Sequence, residues 1–341
     1  SIHRGAPRLG EHTSEVIQEV APMAPAAAPR ITGGALDIGE KADAEKLAVV
    51  HRSLPLSGLR VLCFTQAWSG VWGTELLALL GADVVQIEGL GHPDVWRDSQ
   101  GMVGAGVRNA SLRQHRLNTQ GLYNSVNMNK RAIALDMSTV EGQTIFWEMV
   151  PRFDIVAENF TPHVMRKWGI TLEKLEAARP GVIFASLSGY GSDGPYRDYP
   201  ANGGTIEPMS GISSLHGYQG DPGMNTGGLS PDPISGYFFA AAILSALHRR
   251  EHDGKAQRID VAMQESTAMV VSDAVAQLDA TGRVRRPNGN RDARVAPHGV
   301  YAAHGEDEWL ALAAETEEAW VALAEAIGQP ELVMDPRFAS M

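Results

Sequence analysis

The chain has 341 residues, 44% of them hydrophobic, which is enough to fill one large core or two ordinary ones. Its 29 basic and 40 acidic residues give a net charge of −11, and the basic residues are scattered, so a nucleic-acid partner is not expected. A single cysteine excludes an internal disulfide, and no apolar run is long enough to suggest a membrane span, so we expect a globular cytoplasmic protein without a membrane partner.

The beginning of the chain divides into two parts of different character. Residues 5–19 contain a short helix signal at Thr13 and look like the end of a folded unit. Residues 20–40 are rich in alanine, proline and glycine and have no helical or strand period. We therefore predict a tail at 1–19 and a linker at 20–54.

The next part of the chain alternates between short apolar runs and amphipathic stretches. We predict strands at 59–65, 83–88, 131–137, 154–160 and 182–190, and helices at 73–81, 139–152 and 171–180. This alternation indicates an α/β fold, a Rossmann-type parallel sheet with flanking helices.

The remainder of the chain predicts further elements of the same domain and the start of another. A glycine- and proline-rich region at 189–233 precedes a helix near 233–251, a strand within 256–265 and a helix to about Leu278. A β-hairpin and a helix follow it. We divide the chain into a large domain at 55–280 and the start of a smaller second domain at 281–341.

The stretch PDPISG, residues 231–236, places Asp232 just before an apolar helix. Aspartate is a preferred helix N-cap and proline a preferred first helical residue, so the pattern predicts Asp232 as a cap. A carboxylate held at a helix N-terminus is also anionic and fixed in orientation, so a chemical role is the alternative.

Other motifs allow a structural and a functional interpretation. The turn after the first strand lacks G-x-G-x-x-G, which argues against a dehydrogenase, and HRREH at 248–252 has zinc-ligand spacing but suits a solvated helix end better. The glycine-rich SGYGSDG at 188–194 suggests a flexible loop that can close over a ligand. Trp68 and Trp72 either pack in the core or form an aromatic wall that faces a ligand.

These segments, in order, resemble the class III CoA-transferases. The resemblance is carried by LSGLRVLCFTQAWSGVWGTELLALLGADVVQIE, NMNKRAIALDMSTVEGQTIF, DIVAENFTPHVMRKWGI, GYGSDGPYRDYP, HRREHDGKAQRIDVAMQE and DPRFAS, and it covers about residues 55–340. It implies acyl-CoA and a carboxylic acid as substrates, without a metal. It also implies that Asp232 is the nucleophile and forms an aspartyl-CoA thioester.

The resemblance further implies which residues contact coenzyme A. They are Gln66, Ala67, Trp68, Arg97, Lys130, Arg131, Asn159, Phe160 and Lys167. Many members carry an acidic residue where this chain has Gly203, and the racemase branch carries His-Asp at Asn202-Gly203, so an acyl-CoA racemase or isomerase is the weaker alternative.

Residues 5–19 resemble the C-terminal end of the same family, which suggests a tandem fusion of two copies. Family members are interlocked dimers, so we expect a homodimer or a pseudo-dimer within one chain. Tandem members include one that acts on dimethylsulfoniopropionate, which makes this acid a candidate substrate. A non-catalytic CoA-binding half of a tandem protein is the other alternative.

Overall fold

The computed structural model describes residues 2–20, 54–97 and 116–338. The predicted linker at 20–54 therefore lies, apart from its two end residues, outside the described residues. Within those ranges, no helix is both long enough and apolar enough to span a lipid bilayer.

Strands and helices alternate through most of the chain. The strands are β1 (Arg60–Phe64), β2 (Asp83–Glu88), β3 (Arg131–Ala134), β4 (Ile155–Glu158), β5 (Ile183–Ser188), β6 (Gln257–Ala262), β7 (His298–Ala302) and β8 (Trp309–Ala313). The α-helices are α1 (Thr13–Val20), α2 (Ser69–Leu79), α3 (Gly121–Ser125), α4 (Val140–Met149), α5 (Pro162–Trp168), α6 (Leu172–Ala178), α7 (Gly203–Ser210), α8 (Pro231–Asp253), α9 (Met263–Ala268), α10 (Ser272–Thr281) and α11 (Glu317–Ala326).

The main sheet of the described residues has six parallel strands in the order β3-β2-β1-β4-β5-β6. This order is that of a Rossmann sheet, so the predicted parallel α/β fold is confirmed. The strand order reverses between β1 and β4, whose residues Cys63 and Ala157 are paired. Ligands of such sheets bind at this crevice, beyond the carboxyl ends of the strands.

Helices cover both faces of the sheet because successive strand residues point in opposite directions. Leu62 and Phe64 pack on one face with Phe146 of α4, whereas Val61 and Cys63 pack on the other with Phe239 of α8. All of these side chains are at most 2% exposed. Each large apolar side chain buried in this way contributes about 2 kcal/mol.

Helices α2 and α8 approach each other closely where each has a glycine. A Cβ on Gly73 would lie 2.9 Å from the backbone oxygen of Gly236, and a Cβ on Gly236 would lie 2.7 Å from that of Ser69. The sequence predicted a helix that starts at residue 73, whereas α2 starts at Ser69, although glycine lowers helix propensity. Close packing of the two helices overrides this local preference and keeps their first turns together.

The N-terminal segment packs on the edge strand β3. The backbone N–H of His12 donates to the oxygen of Ala132 at 2.9 Å, and the N–H of Ala134 donates to the hydroxyl of Thr13 at 2.9 Å. Residues 2–20 are thus part of the body that contains the sheet.

The described residues fall into two compact units. One lies within Ser1–Ile206 and Leu229–Met269, and the other within Glu207–Gly228 and Val270–Met341. The second unit contains the antiparallel hairpin β7-β8, as predicted from the sequence, and helix α11. The predicted domain boundary at 280 and the assignment of 1–19 to a preceding copy remain predictions.

Candidate active site

At the crevice between β1 and β4, the turns that follow these two strands are connected by hydrogen bonds. The amide of Asn159 accepts from the N–H of Gln66 at 2.7 Å and donates to the backbone oxygen of Gln66 at 2.9 Å. Gly70 allows this contact, because a Cβ there would lie 2.7 Å from the Cβ of Asn159. Two of the predicted site residues are thereby joined at the carboxyl edge of the sheet.

The turn after β1 contains Ala67 in a left-handed conformation, with φ of 61°. This region is unfavourable for residues other than glycine and costs about 1 kcal/mol or more. The N–H of Ala67 donates to Oδ2 of Asp94 at 2.9 Å. Asp94 is 1% exposed, and burial raises the pKa of its carboxyl to about 6.

Asp232 lies in the first turn of α8, and its predicted role as the N-cap is wrong. Helix α8 begins at Pro231 and is capped by Ser230, without a side-chain hydrogen bond. The carboxylate of Asp232 instead lies beside the backbone N–H groups of Ser69 and Gly203, the first residues of α2 and α7, which act to lower its pKa. It therefore joins different parts of the fold rather than closing its own helix.

The carboxylate of Asp232 is held in a site that combines burial with positive helix ends. The residue is 8% exposed, and burial raises the pKa of its carboxyl from 3.8 to about 6, against the opposing effect of the two N–H donors. The N-termini of α2 and α8 both favour negative charge. The arrangement yields an oriented carboxylate that is anionic at neutral pH and more basic than a surface aspartate.

Gly203 is a steric requirement of this site. A Cβ at this position would overlap Oδ2 of Asp232 and lie 2.9 Å from the Cβ of Leu229. The resemblance implied an acidic residue at this position, where this chain has glycine. In the structure, the carboxylate of Asp232 occupies the space that a side chain at position 203 would need.

Arg97, predicted to contact coenzyme A, has its guanidinium inside the protein. It is fully buried and binds Glu88 through Nε and Nη2, each at 2.7 Å from a carboxylate oxygen. Its other contacts are the backbone oxygens of Pro7 and Leu117, the side chains of Asn118 and Tyr123, and the ring face of Tyr123. These contacts give no support to the predicted contact with coenzyme A.

Lys130 is also completely buried. Its ammonium donates to the backbone oxygen of Val71 at 2.9 Å and to Thr74 Oγ1 and Asn127 Oδ1 at 3.0 Å each. These three bonds use its three donors, and burial lowers its pKa to about 8. Lys130 therefore holds α2 in place, and its predicted contact with coenzyme A finds no support in this geometry.

Arg131 begins β3 and so lies at the amino edge of the sheet, opposite the crevice. It forms ion pairs with Asp83 at 2.6 Å, Glu15 at 2.9 Å and Glu19 at 3.0 Å. Burial acts to lower the pKa of the guanidinium, but the hydrogen bonds to Glu19 and Asp83 outweigh it and raise the pKa. The structure does not bring Arg131 to Asp232.

Phe160 and Lys167 lie at either end of the segment that follows β4. The N–H of Phe160 donates to Oε2 of Glu158 at 2.9 Å, and its ring meets that of Trp168 edge-on, with centroids 5.9 Å apart. Lys167 is exposed in the last turn of α5. Their roles in binding coenzyme A remain predictions.

Aromatic rings lie beside the turn after β1. Trp68 packs on Trp96 with ring centroids 5.4 Å apart, and Trp72 meets Tyr237 edge-on at 5.8 Å. Both tryptophans remain partly exposed. The two interpretations from the sequence, core packing and a ligand wall, are therefore compatible.

Sequence reasoning missed Ser69 and Asp94. Asp94 follows β2 and returns to the carboxyl edge of the sheet, and a carboxylate soon after a buried parallel strand is the signal that could have identified it. Ser69 acts through its backbone, so its side chain gave no signal.

The HRREH sequence lies in the last part of α8, with His248 and Glu251 at least three-quarters exposed. Among the described residues, no three histidine, cysteine, aspartate or glutamate side chains are grouped to hold a metal ion.

Comparison with known proteins identifies one family. The sequence model of CoA-transferase family III matches residues 56–341. The acetyl-CoA:oxalate CoA-transferase of Acetobacter aceti is 37% identical over 286 residues, covering 83% of this chain and 69% of that enzyme. The succinyl-CoA–D-citramalate CoA-transferase of Chloroflexus aurantiacus is 33% identical over 287 residues, covering 84% of this chain and 68% of that enzyme.

Solved structures show the same similarity. A CaiB/BaiF family protein from Brucella suis superimposes with a TM-score of 0.72 at 29% identity, covering 84% of this chain and 73% of that one. Rv3272 from M. tuberculosis gives a TM-score of 0.67 at 27% identity, covering 85% and 72%.

The raised pKa of Asp232 predicts how its replacement changes stability. A rise from 3.8 to about 6 means that the folded protein prefers the protonated carboxyl, so the charged form lowers the free energy of unfolding as pH rises through this range. We expect Asp232→Asn to remove this pH dependence. The stability difference, defined as the free energy of unfolding of the variant minus that of the original protein, should therefore increase by about 3 kcal/mol from pH 3 to pH 8.

Urea titrations across this pH range measure the difference. Asp279→Asn, which changes an exposed aspartate of α10, serves as the control and should leave the pH dependence nearly unchanged. A pH-independent difference between the Asp232→Asn variant and the original protein would contradict the described environment of the carboxylate.

Proposed function

The chain belongs to CoA-transferase family III, and from this premise we propose that it transfers coenzyme A from an acyl-CoA to a carboxylic acid with Asp232 as the nucleophile. The named relatives are CoA-transferases, which confirms the enzyme class and the acyl-CoA co-substrate predicted from the sequence.

One observation carries the proposed mechanism: the carboxylate of Asp232 lies against the backbone N–H groups of Ser69 and Gly203. Ser69 follows the turn after β1, which is joined by hydrogen bonds to Asn159 after β4, and this supports a position of the carboxylate near the switch point of the sheet. A thioester bound in this crevice meets an oriented nucleophile.

The proposed reaction proceeds by successive acyl transfers between CoA, the Asp232 carboxylate and the two acids. An oxygen of the Asp232 carboxylate attacks the thioester carbonyl and releases CoA thiolate, giving a mixed anhydride. The thiolate then attacks the aspartyl carbonyl, which releases the original acid and leaves an aspartyl-CoA thioester. The incoming carboxylate attacks this thioester, and the released thiolate attacks the new acyl carbonyl, which yields the new acyl-CoA and regenerates Asp232.

The donors that hold the carboxylate also suit the tetrahedral intermediates. When the aspartyl carbonyl is attacked, its oxygen gains negative charge close to the N–H groups of Ser69 and Gly203. Fixed donors in a water-poor site stabilise such an oxyanion without reorganisation.

The structure bears on the two alternatives. A racemase needs a second proton-transfer group, and this chain has Asn202 where the resemblance implies the histidine of the racemase branch. A non-catalytic CoA-binding half would not need a buried carboxylate whose charge costs stability. The geometry at Asp232 therefore favours catalysis in this chain.

The acceptor is proposed to be a small carboxylic acid. The relatives are named for oxalate, D-citramalate and L-malate. Dimethylsulfoniopropionate remains the specific candidate, because Trp68 and Trp72 are partly exposed and aromatic side chains can bind a sulfonium by cation–π contact. A second copy of the family, in the same chain or as a homodimer, is the proposed partner.

Replacement of Asp232 tests the proposed nucleophile. In the full-length protein, we expect Asp232→Ala to abolish exchange of labelled CoA between acyl-CoA and free acid, because no other group can form the aspartyl thioester. Equilibrium binding of CoA should remain within about threefold, because the carboxylate acts on the thioester rather than on the nucleotide. Full exchange activity in this variant would refute the assignment.

The adjacent glycines provide a matched pair for the steric requirement. We expect Gly203→Ala to lower kcat by about tenfold or more, because the added Cβ displaces the carboxylate of Asp232. Gly204→Ala should have little effect, since a Cβ there lies no closer than 3.4 Å to any neighbour. Steady-state exchange assays with both variants decide the point; equal activities would show that the carboxylate tolerates displacement.

A gas assay tests the candidate acid. If dimethylsulfoniopropionate is the acceptor and is cleaved after CoA transfer, acetyl-CoA plus this acid should release dimethyl sulfide with the full-length protein and not with Asp232→Ala. Exchange onto other acids without dimethyl sulfide release would exclude this substrate while leaving the transferase assignment intact.

A further inference from the structure

The turn that presents Ser69 to Asp232 depends on a carboxylate outside the proposed nucleophile. Asp94 uses both oxygens on backbone donors: Oδ2 accepts from Ala67 at 2.9 Å and Oδ1 accepts from Trp96 at 2.7 Å. It is 1% exposed and so is shielded from solvent. These contacts place the Asp94 carboxylate against the turn that follows β1.

Ala67 needs this contact because of its backbone conformation. Its φ of 61° reverses the chain between β1 and α2, so that α2 starts with Ser69 facing Asp232. A left-handed alanine persists only where surrounding contacts over-determine it. The bond to Asp94 is the side-chain contact of the Ala67 N–H, and the packing of Trp68 on Trp96 joins the same two segments again.

Asp94 is itself held by a buried ion pair. Its N–H donates to Oε2 of Glu88 at 3.3 Å, and its backbone oxygen accepts the N–H of Arg97 at 2.9 Å. Glu88 and Arg97 are paired at 2.7 Å with no exposed side-chain surface. Arg97 also donates to the oxygen of Pro7, which extends the brace to the N-terminal segment.

We propose that Asp94 is a positioning residue for the reaction at Asp232. Its carboxylate holds Ala67 in the left-handed conformation, and this conformation keeps the start of α2, with the Ser69 N–H, beside the nucleophile. The inference rests on the proposed function of Asp232. It also gives Arg97 a role, because the ion pair with Glu88 fixes the position of Asp94.

Loss of the Asp94 carboxylate should slow the chemical steps more than it weakens binding. In the full-length protein, we expect Asp94→Ala to lower kcat by about tenfold to a hundredfold while KM for acyl-CoA changes less than about threefold, because the nucleophile is displaced in a site that still binds. Asp94→Asn keeps one acceptor oxygen and should lie between, and it carries the test if the alanine variant does not fold.

Ala67→Gly supplies a readout that a merely structural role would not produce. Glycine adopts positive φ without the penalty of alanine. Adding Ala67→Gly to either Asp94 variant should therefore restore kcat by about threefold or more, a larger factor than the same change gives in the original protein. The exposed Asp279→Asn serves as the control for loss of a carboxylate.

The possible results separate this inference from the assignment of Asp232. Wild-type kcat in both Asp94 variants, or the same factor from Ala67→Gly in every background, would overturn the positioning role. Exchange activity in Asp232→Ala would instead overturn the proposed function itself. Inactive Asp232→Ala, slowed Asp94 variants and rescue by Ala67→Gly together would support both.

Discussion

The burial of one carboxylate at the meeting of helix N-termini is the constraint on which the site depends. Asp232 loses most of its hydration, and the N–H groups of Ser69 and Gly203 with the helix dipoles replace it only in part, since its pKa still rises to about 6. The fold therefore holds a charge at a cost in stability. That cost is consistent with a group retained for chemistry.

Several features of the backbone follow from this constraint. The first turns of α2 and α8 must lie close together, which requires glycine at 73 and 236. The start of α7 must approach the carboxylate with its N–H, which requires glycine at 203. The chain must also reverse sharply after β1, which it does at Ala67. At each of these positions the chain has a locally unfavourable residue or conformation, and the result is the placement of the Asp232 side chain.

The fold and the sheet edge at which the candidate site lies could be predicted from the sequence, whereas the buried contacts of the basic residues could not. Alternating apolar runs and helices indicate a parallel sheet, and the carboxyl ends of its strands meet at one edge, where Gln66 and Asn159 are joined by hydrogen bonds. Arg97 and Lys130 were predicted as ligand contacts because the family resemblance implies it, and their burial was not expected because a buried guanidinium or ammonium is rare. Their partners, such as Pro7 and Val71, are far away in sequence and gave no signal.

The cap predicted for Asp232 failed for a related reason. A local pattern singled out the residue but assigned it to its own helix, while the N–H groups beside its carboxylate belong to Ser69 and Gly203. Local propensity describes the backbone around a residue and not the segments that tertiary packing brings to it. The same packing explains why α2 starts at Ser69 despite its glycines.

Transfer of a labelled oxygen tests the central claim most directly. In the proposed cycle the incoming acid forms an anhydride through one of its own oxygens, and that oxygen stays on the aspartate when the new acyl-CoA leaves. After turnover with an acid carrying a heavy oxygen isotope, mass spectrometry of the peptide that contains Asp232 should show the label in its carboxyl group. Turnover that leaves this peptide unlabelled, or that labels another carboxylate, would contradict the account.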